Sequence, residues 1–571
     1  MAPVIIDMES DMAGKTHALP SASEFRSLFF TLLGPEKRFY ILVLIYSIAI
    51  SLLTLAIPIS VQTLIDTVAN IALTRTVVMI SLLLFGLLLL SGALYAFRAY
   101  VMELFNRRIF IRISSELAMR AVTTRESGMD DRARLSLFNR FFDIMTLKKN
   151  VPLILTNGFS LLLQSIIGFI LVSFYHLYFM LFAIVLIILI WLVWKIWGWK
   201  AIRSAFLLSE AKYDTADWLQ GLSISLRDFQ ASGNLEFMLD EFNSIVNHHV
   251  DQQMVHFSYS FKQLISLLFI NALASAVLLG IGGWLVIQGE LTLGQLVAAE
   301  LIMLAIFAGL APLASYLDYF YDICAAVEEI SRFHHLPQEE RQIKPLKEEP
   351  QIHQSLIHFR GTAFGEGDDL EALINLSIKP DEAIRASGIS GRTRTLFKNA
   401  VLGNIFPKQG NLYFGNLSSQ EVSPFALKKE CKVVDRASVI PGSIRHYLGY
   451  SNPGITQHQI DEALELLELT DMINALPEKL DTIISTDGWP LGLEYCLRLK
   501  LANIFIGNPS LVVLDQINDL IPTAVMDKYL QALVDNHETA VLYFTDRTDL
   551  ISFSREITSL QNIDRKVSDN E

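Results

Sequence analysis

Cysteine is scarce in this chain. Cys324, Cys431 and Cys496 are the only three in 571 residues, and they lie far apart. That spacing excludes a disulfide framework and a cysteine-based metal site, and it fits a reducing compartment. Charge is scarce as well: 18% of residues are Asp, Glu, Lys or Arg, against about 25% in average soluble domains. No run rich in Lys and Arg occurs and the net charge is −13, so nothing offers an electrostatic footprint for nucleic acid. Residues 1–24 have no apolar core segment and carry Asp7, Glu9 and Asp11. A cleaved signal peptide needs a basic start and an apolar middle, so this segment is expected to be a loose cytoplasmic tail. What the chain has in excess is apolar residues, 52%, with a mean hydropathy of +0.38. These values exclude a disordered chain and a coiled coil, and they point to membrane segments.

Six long apolar stretches fill the first part, at about 40–61, 77–100, 152–175, 177–197, 262–287 and 294–316. Each reaches the roughly 20 residues that a helix needs to span a bilayer. Ile41 to Pro58 and Met180 to Trp194 contain no charge at all. The connectors between spans 2 and 3 and between spans 4 and 5 are long, polar and helical in pattern. The basic residues concentrate there: Arg107, Arg108, Arg112, Arg120, Arg132, Arg134, Arg140, Lys148 and Lys149 in or beside one, Lys195, Lys200, Arg203, Lys212 and Arg227 in or beside the other. The short connectors carry little beyond Arg75. The excess of positive charge predicts a multi-pass membrane protein with both termini and both long connectors in the cytoplasm.

Character changes after the sixth span. Residues 25–336 form the transmembrane domain, and 337–354, polar and proline-containing, read as a linker. Beyond it, β-type runs at Leu356–Phe359, Leu373–Ile378, Leu511–Leu514 and Ala540–Phe544 alternate with helical stretches such as Gln457–Leu467 and Tyr495–Ile506. This alternation predicts a mixed α/β domain over 355–560, followed by a tail at 561–571.

Within that domain stands Gly388-Ile-Ser-Gly391-Arg392-Thr393-Arg394-Thr395, then Leu491-Gly492-Leu493-Glu494-Tyr495 before Asn508-Pro509, then Leu511-Val-Val-Leu-Asp515-Gln516, and last Tyr543-Phe544-Thr545-Asp546. In the first part, Gln288 to Ala298 and Ala325 to Ile330 approach and leave the sixth span. In this order the residues resemble the ATP-binding-cassette exporters, over nearly the whole chain. The stretch GGWLVIQGELTLGQLVAAELIM is most similar to the type I secretion exporters of proteins and peptides. The resemblance implies a half-transporter: a membrane α-helical six-span domain followed by a mixed α/β cassette, working as a homodimer or heterodimer in a bacterial inner membrane, with secretion partners in the periplasm or outer membrane.

Laid on the family's motifs, this chain departs at nearly every catalytic position. The phosphate loop keeps Gly388, Gly391 and Thr395, but Thr393 stands for its last glycine and Arg394 for its lysine. A methyl at Thr393 intrudes where bare N–H groups meet phosphate, and a guanidinium does not fit an ammonium pocket. The glutamine that orients water falls at Asp435. The signature loop, normally serine and two glycines, reads Leu491, Gly492, Leu493 and Glu494. The metal-binding aspartate remains as Asp515, the catalytic glutamate is Gln516, and the histidine is Asp546. The aromatic residue for adenine falls at about Glu366, with Phe364 nearby. Glu494 and Asp546 would each repel a bound phosphate by roughly 3 kcal/mol at about 6 Å and an effective dielectric near 20, unless Arg392, Arg394 or Arg547 neutralises them. The resemblance therefore implies weak or absent binding of ATP with magnesium, no ATP hydrolysis by this chain alone, and no metal site of its own. Three functions stay open: a half-transporter that depends on a partner chain for ATP turnover, an ATP-independent scaffold or regulator built on the exporter shell, or an active exporter ATPase with an unusual site.

Two further expectations concern the membrane domain. The connectors at about 127–138 and 216–229 fall where family members dock a helix into the cassette, with Trp218, Leu219 and Leu222 as anchors. Glu300 lies inside the sixth span, where an acid is costly and tends to face a cavity or a partner.

Overall fold

The computed structural model describes residues 22–70, 74–124, 138–336, 338, 356–364, 372–537 and 539–560. Two compact units divide the chain, the second running from Gln338 onward.

The first unit is helical: α1 (Ala22–Leu33), α2 (Lys37–Thr54), α3 (Ala56–Asn70), α4 (Thr74–Val122), α5 (Asp143–Leu153), α6 (Phe159–Ser173), α7 (Leu177–Ile224), α8 (Leu226–Ser232), α9 (Leu235–Ile287), α10 (Leu293–Phe307) and α11 (Leu310–Ser331). Among the described residues, six helices are long and apolar enough to cross a membrane. The expected fold class holds, and the helices outrun the expected spans: α4, α7 and α9 run 49, 48 and 53 residues. Among the described residues, the long connectors are therefore largely continuations of the helices, with α8 a short separate helix in the second. Breaks fall where the chemistry requires them. α2 and α3 meet at Leu55, and Pro58 takes the first turn of α3, where its missing N–H costs nothing. Pro152 sits inside α5, and the helix passes through a π turn at Ile154–Gly158 before α6 resumes. Thr292 opens α10 with a capping box, its hydroxyl accepting from the Gln295 N–H while the Gln295 side chain accepts from the Thr292 N–H. Phe179, Leu285, Ala299 and Met303 are fully buried between helices. On the outer face Leu82, Leu83, Phe85 and Leu89 are each more than 60% exposed, a surface that lipid tails, not water, would cover.

In the second unit a four-stranded antiparallel sheet has the order β2-β1-β4-β5 (Ala372–Ile378, Ile357–Phe364, Gln409–Phe414, Leu417–Ser418). A five-stranded parallel sheet has the order β11-β3-β10-β9-β6 (Arg555–Ile557, Ala383–Ala386, Ala540–Phe544, Leu511–Leu514, Cys431–Val434). β9 and β10 are buried along their whole length, as unbroken apolar runs in a parallel sheet should be. Helix α12 (Gly391–Val401) packs on this core through Phe397, stacked on Phe359 at 4.9 Å and edge-on to Phe544 at 5.7 Å. α13 (Pro424–Glu430), α14 (Ile444–Gly449), α15 (Gln457–Leu466), α16 (Thr470–Asn474), α17 (Leu493–Gly507) and α18 (Thr523–His537) follow in chain order. β7 (Gly442–Ser443) and β8 (Ile483–Ile484) form a small antiparallel pair beside them.

Candidate functional site

The parallel sheet decides where the candidate residues go. β3, β10, β9 and β6 are neighbours and parallel, so the loops after them share one sheet edge, the usual place for a ligand in an open α/β sheet. Residues 387–390 follow β3, Asp546 lies two residues past β10, Asp515 follows β9 and Asp435 follows β6. Four motifs, up to 158 residues apart in sequence, meet on this edge.

The phosphate loop is built and internally bonded. Gly388 has φ +68 with open space around it, a conformation that favours glycine. Ser390 caps α12, its hydroxyl accepting from the Thr393 N–H at 3.2 Å, and the Thr393 hydroxyl lies 2.8 Å from the same oxygen. Thr395 turns its hydroxyl back to the Gly391 carbonyl at 3.0 Å. The Gly388 N–H donates to the Asp546 carboxylate at 3.0 Å, and the Gln516 side-chain amide donates to the other oxygen of Asp546 at 3.1 Å. A loop amide thus has a carboxylate as its acceptor.

The carboxylates behind the loop hold cations. Arg394 donates to Asp515 Oδ1 at 2.9 Å, and the Gln516 N–H reaches the same oxygen at 2.9 Å. Lys398 Nζ lies 2.5 Å from Asp515 Oδ2 and 3.1 Å from Asp435 Oδ2. Burial works against the charged form of Asp515, but the Lys398 ammonium, the Gln516 amide and Arg394 outweigh it and hold its pKa below the ordinary carboxylate value. Sequence reading passes over Lys398. Its signal is positional: it lies four residues after Arg394 on the same helix, hence on the same face. Of the three arginines weighed for neutralising Asp546 and Glu494, two are engaged elsewhere. Arg394 is taken by Asp515, and Arg547 is held by Asp549 at 2.8 Å and the Ile521 carbonyl at 2.7 Å.

Magnesium is the metal that the resemblance implies, and the residues present do not fit it. Both oxygens of Asp515 are engaged by cationic or N–H donors, and the Thr395 hydroxyl points to a backbone carbonyl.

The signature segment opens α17. Gly492 is its N-cap with no side-chain cap bond, Leu491 is buried, and Leu493 is 52% exposed. Glu494 pairs with Arg498 one turn on, and Arg498, itself buried, also donates to the Leu467 carbonyl at 3.3 Å. The cation beside Glu494 is thus Arg498, one that the sequence reading does not name. Phe364, the aromatic nearest the expected adenine position, is buried in the core, while Glu366 lies outside the described residues.

In the membrane unit, Trp218 belongs to α7 and its ring packs on Phe242 at 4.7 Å and Phe229 at 6.2 Å, within its own unit. Leu219 is exposed and Leu222 half-buried. Most of the 127–138 connector and of the 337–354 linker lies outside the described residues, as does the 561–571 tail. Glu300 is half-buried in α10 and makes no hydrogen bond or ion pair with any described residue. A buried charge that sequence reading overlooks is Arg98 in α4, 3% exposed, donating to Ser47 at 3.1 Å and to Ser160.

Residues 40–310 match the model of the ABC transporter transmembrane region. Among curated relatives, the uncharacterized ABC transporter ATP-binding protein YwjA of Bacillus subtilis is 24% identical over 46% of this chain and 46% of its own length. The toxin RTX-I translocation ATP-binding protein of Actinobacillus pleuropneumoniae is 26% identical over 43% of this chain and 35% of its own. The leukotoxin export ATP-binding protein LtxB of Aggregatibacter actinomycetemcomitans is 25% identical over 50% and 40%. The matched part thus spans less than half the length of each of these relatives. The solved structure of a bacterial Atm1-family ABC exporter with ATP bound superposes with a TM-score of 0.77 at 15% identity, covering 89% of this chain and 92% of that one.

Proposed function

From the match of residues 40–310 to the ABC transporter transmembrane region model and a fold shared with an ABC exporter, we propose a half-transporter subunit that does not turn over ATP itself. It acts in a bacterial inner membrane as half of a dimer, with hydrolysis supplied by a partner chain. Its cargo is a peptide, protein or lipid. Two relatives are named for toxin translocation or export, which supports a protein or peptide cargo and secretion partners beyond the inner membrane.

The observation that carries the proposal is the hydrogen bond between Gln516 and Asp546, with Asp546 also on the Gly388 N–H. A side-chain amide cannot accept the proton of an attacking water. A carboxylate on the loop N–H stands where phosphate oxygens would be received. A unit charge about 4 Å from it is repelled by about 4 kcal/mol at an effective dielectric of 20, close to three powers of ten in affinity. Binding of ATP by this chain alone is accordingly weak or absent.

The scaffold reading keeps one observation in its favour. Both the phosphate loop and the signature are altered, so a partner's intact motifs would still leave each composite site with one altered half. Purification from the native host separates the two readings: a co-purifying second half-transporter supports export, and isolation of this chain alone supports the scaffold. Catalysis is tested by ATP turnover of the purified full chain beside a Gln516→Glu, Asp546→His double variant. No turnover by the wild type is expected. Turnover that Asp515→Asn abolishes would sink the proposal.

A further inference from the structure

The two carboxylates best placed to hold a divalent ion already hold an ammonium. Val434 and Leu514 are register partners on adjacent parallel strands, so Asp435 and Asp515, one residue further on, leave the sheet edge side by side. α12 crosses that edge and projects Lys398 between them, its side chain only 11% exposed. Its nitrogen bridges Asp515 at 2.5 Å and Asp435 at 3.1 Å. Arg394, one turn earlier, covers the remaining oxygen of Asp515 at 2.9 Å.

Charge and geometry both argue against adding a metal. Two carboxylates are already balanced by one ammonium and one guanidinium in direct contact, and Arg436, 4.0 Å from Asp435, adds a third cation. A magnesium ion demands oxygen ligands at about 2.0–2.1 Å in an octahedron and keeps several waters. Entry would require an ammonium and a guanidinium to be expelled from partners in a half-buried site, or four positive charges to share two carboxylates.

We propose that Lys398 is a built-in replacement for the divalent cation, so that this cassette edge is a metal-independent site and any anionic ligand reaching the loop does so without magnesium. The inference concerns the cassette of the proposed function but does not depend on export. A chain that never hydrolyses ATP could still bind a metal, so the failures of the two readings are distinguishable.

Manganese(II) serves as the probe, followed by electron paramagnetic resonance on the full chain in detergent. Wild type and Asp515→Asn should be indistinguishable, and magnesium should leave the wild-type melting temperature unchanged. Lys398→Met should gain a saturable site, at least about tenfold tighter than any wild-type binding, that a further Asp515→Asn removes. Lys398→Arg, which retains the charge, should stay metal-free. Saturable wild-type binding abolished by Asp515→Asn would overturn the proposal. So would a folded Lys398→Met that gains no site. Should Lys398→Met fail to fold, the magnesium melting curve of the wild type decides alone: an increase that Asp515→Asn removes overturns the proposal, and no shift upholds it.

Discussion

Asp515 is shared by two cations and a backbone amide, and this sets what single substitutions there should do. Lys398→Met removes an ammonium from Asp515 and Asp435 together and should destabilise the cassette by about 2 kcal/mol, the range of a charge-assisted hydrogen bond. Because Asp515→Asn removes the same contact from the other side, the double variant should cost less than the sum of the singles, measured by thermal unfolding of the full chain. Gly410 gives a sharper case. It sits at φ +68, and a Cβ there would stand 2.3 Å from the Gly361 carbonyl oxygen, where β1 bulges against β4. Gly410→Ala should destabilise the cassette by more than ~2 kcal/mol. Gly388→Ala, with a similar φ but open space, should cost about 1 kcal/mol. Equal melting temperatures for the two variants would refute this contrast.

At the scale of elements, the elbow between α7 and α9 is held by aromatic packing. Trp218 stacks on Phe242 and touches Phe229 of the short helix α8. Trp218→Ala should therefore loosen the elbow by about 1–2 kcal/mol. Faster amide hydrogen exchange over 225–237 would show it, and unchanged exchange there would count against this packing role. The apolar spans are legible in the sequence because lipid and neighbouring helices leave them no aqueous face, and strands such as Leu511–Leu514 and Ala540–Phe544 because burial on all sides writes itself as an unbroken apolar run. α15 comes within a residue of expectation through its amphipathic 3.6-residue pattern, and α17, buried around most of its circumference, comes within a few residues as a long apolar stretch. The candidate site was legible only in part. Its backbone parts follow strands whose order the motifs imply, so Gly388, Asp515 and Asp546 converge as expected. Who pairs with whom was not legible, because several cations lie within reach of each carboxylate and the sequence does not rank them. Lys398 wins Asp515 and Asp435 through helix register. Glu494 finds Arg498 through the local i,i+4 geometry of α17. Trp218 reads in sequence as an anchor for the cassette, and its packing on two aromatic rings more than ten residues away was not legible.

For the whole molecule, orientation in the bilayer follows from where charge collects in the membrane unit. At one end, Glu36 pairs with Arg108 at 2.9 Å and Arg112 at 3.3 Å, Arg140 with Glu329 at 2.6 Å, and Lys212 with Asp143 at 2.9 Å. The carboxylates Glu36, Asp143 and Glu329 are almost fully buried, so this end is knitted together by ion pairs and still carries basic residues in surplus. At the other end the helices meet in short turns, where His176 and Glu290 lie 2.9 Å apart. Translocating the basic end is the costlier choice, and retention of Lys and Arg sets topology during insertion. The expectation is that residue 220 and both termini face the cytoplasm while the turn at Gln288 faces outward. Single cysteines at Gln220 and Gln288 test it with an impermeant maleimide on intact cells. The three native cysteines are buried and should contribute little background. Gln288→Cys should label in intact cells, and Gln220→Cys only after permeabilisation. Labelling of Gln220→Cys from outside would invert the assignment, and with it the side of the membrane on which the cassette and its Lys398 clamp would operate.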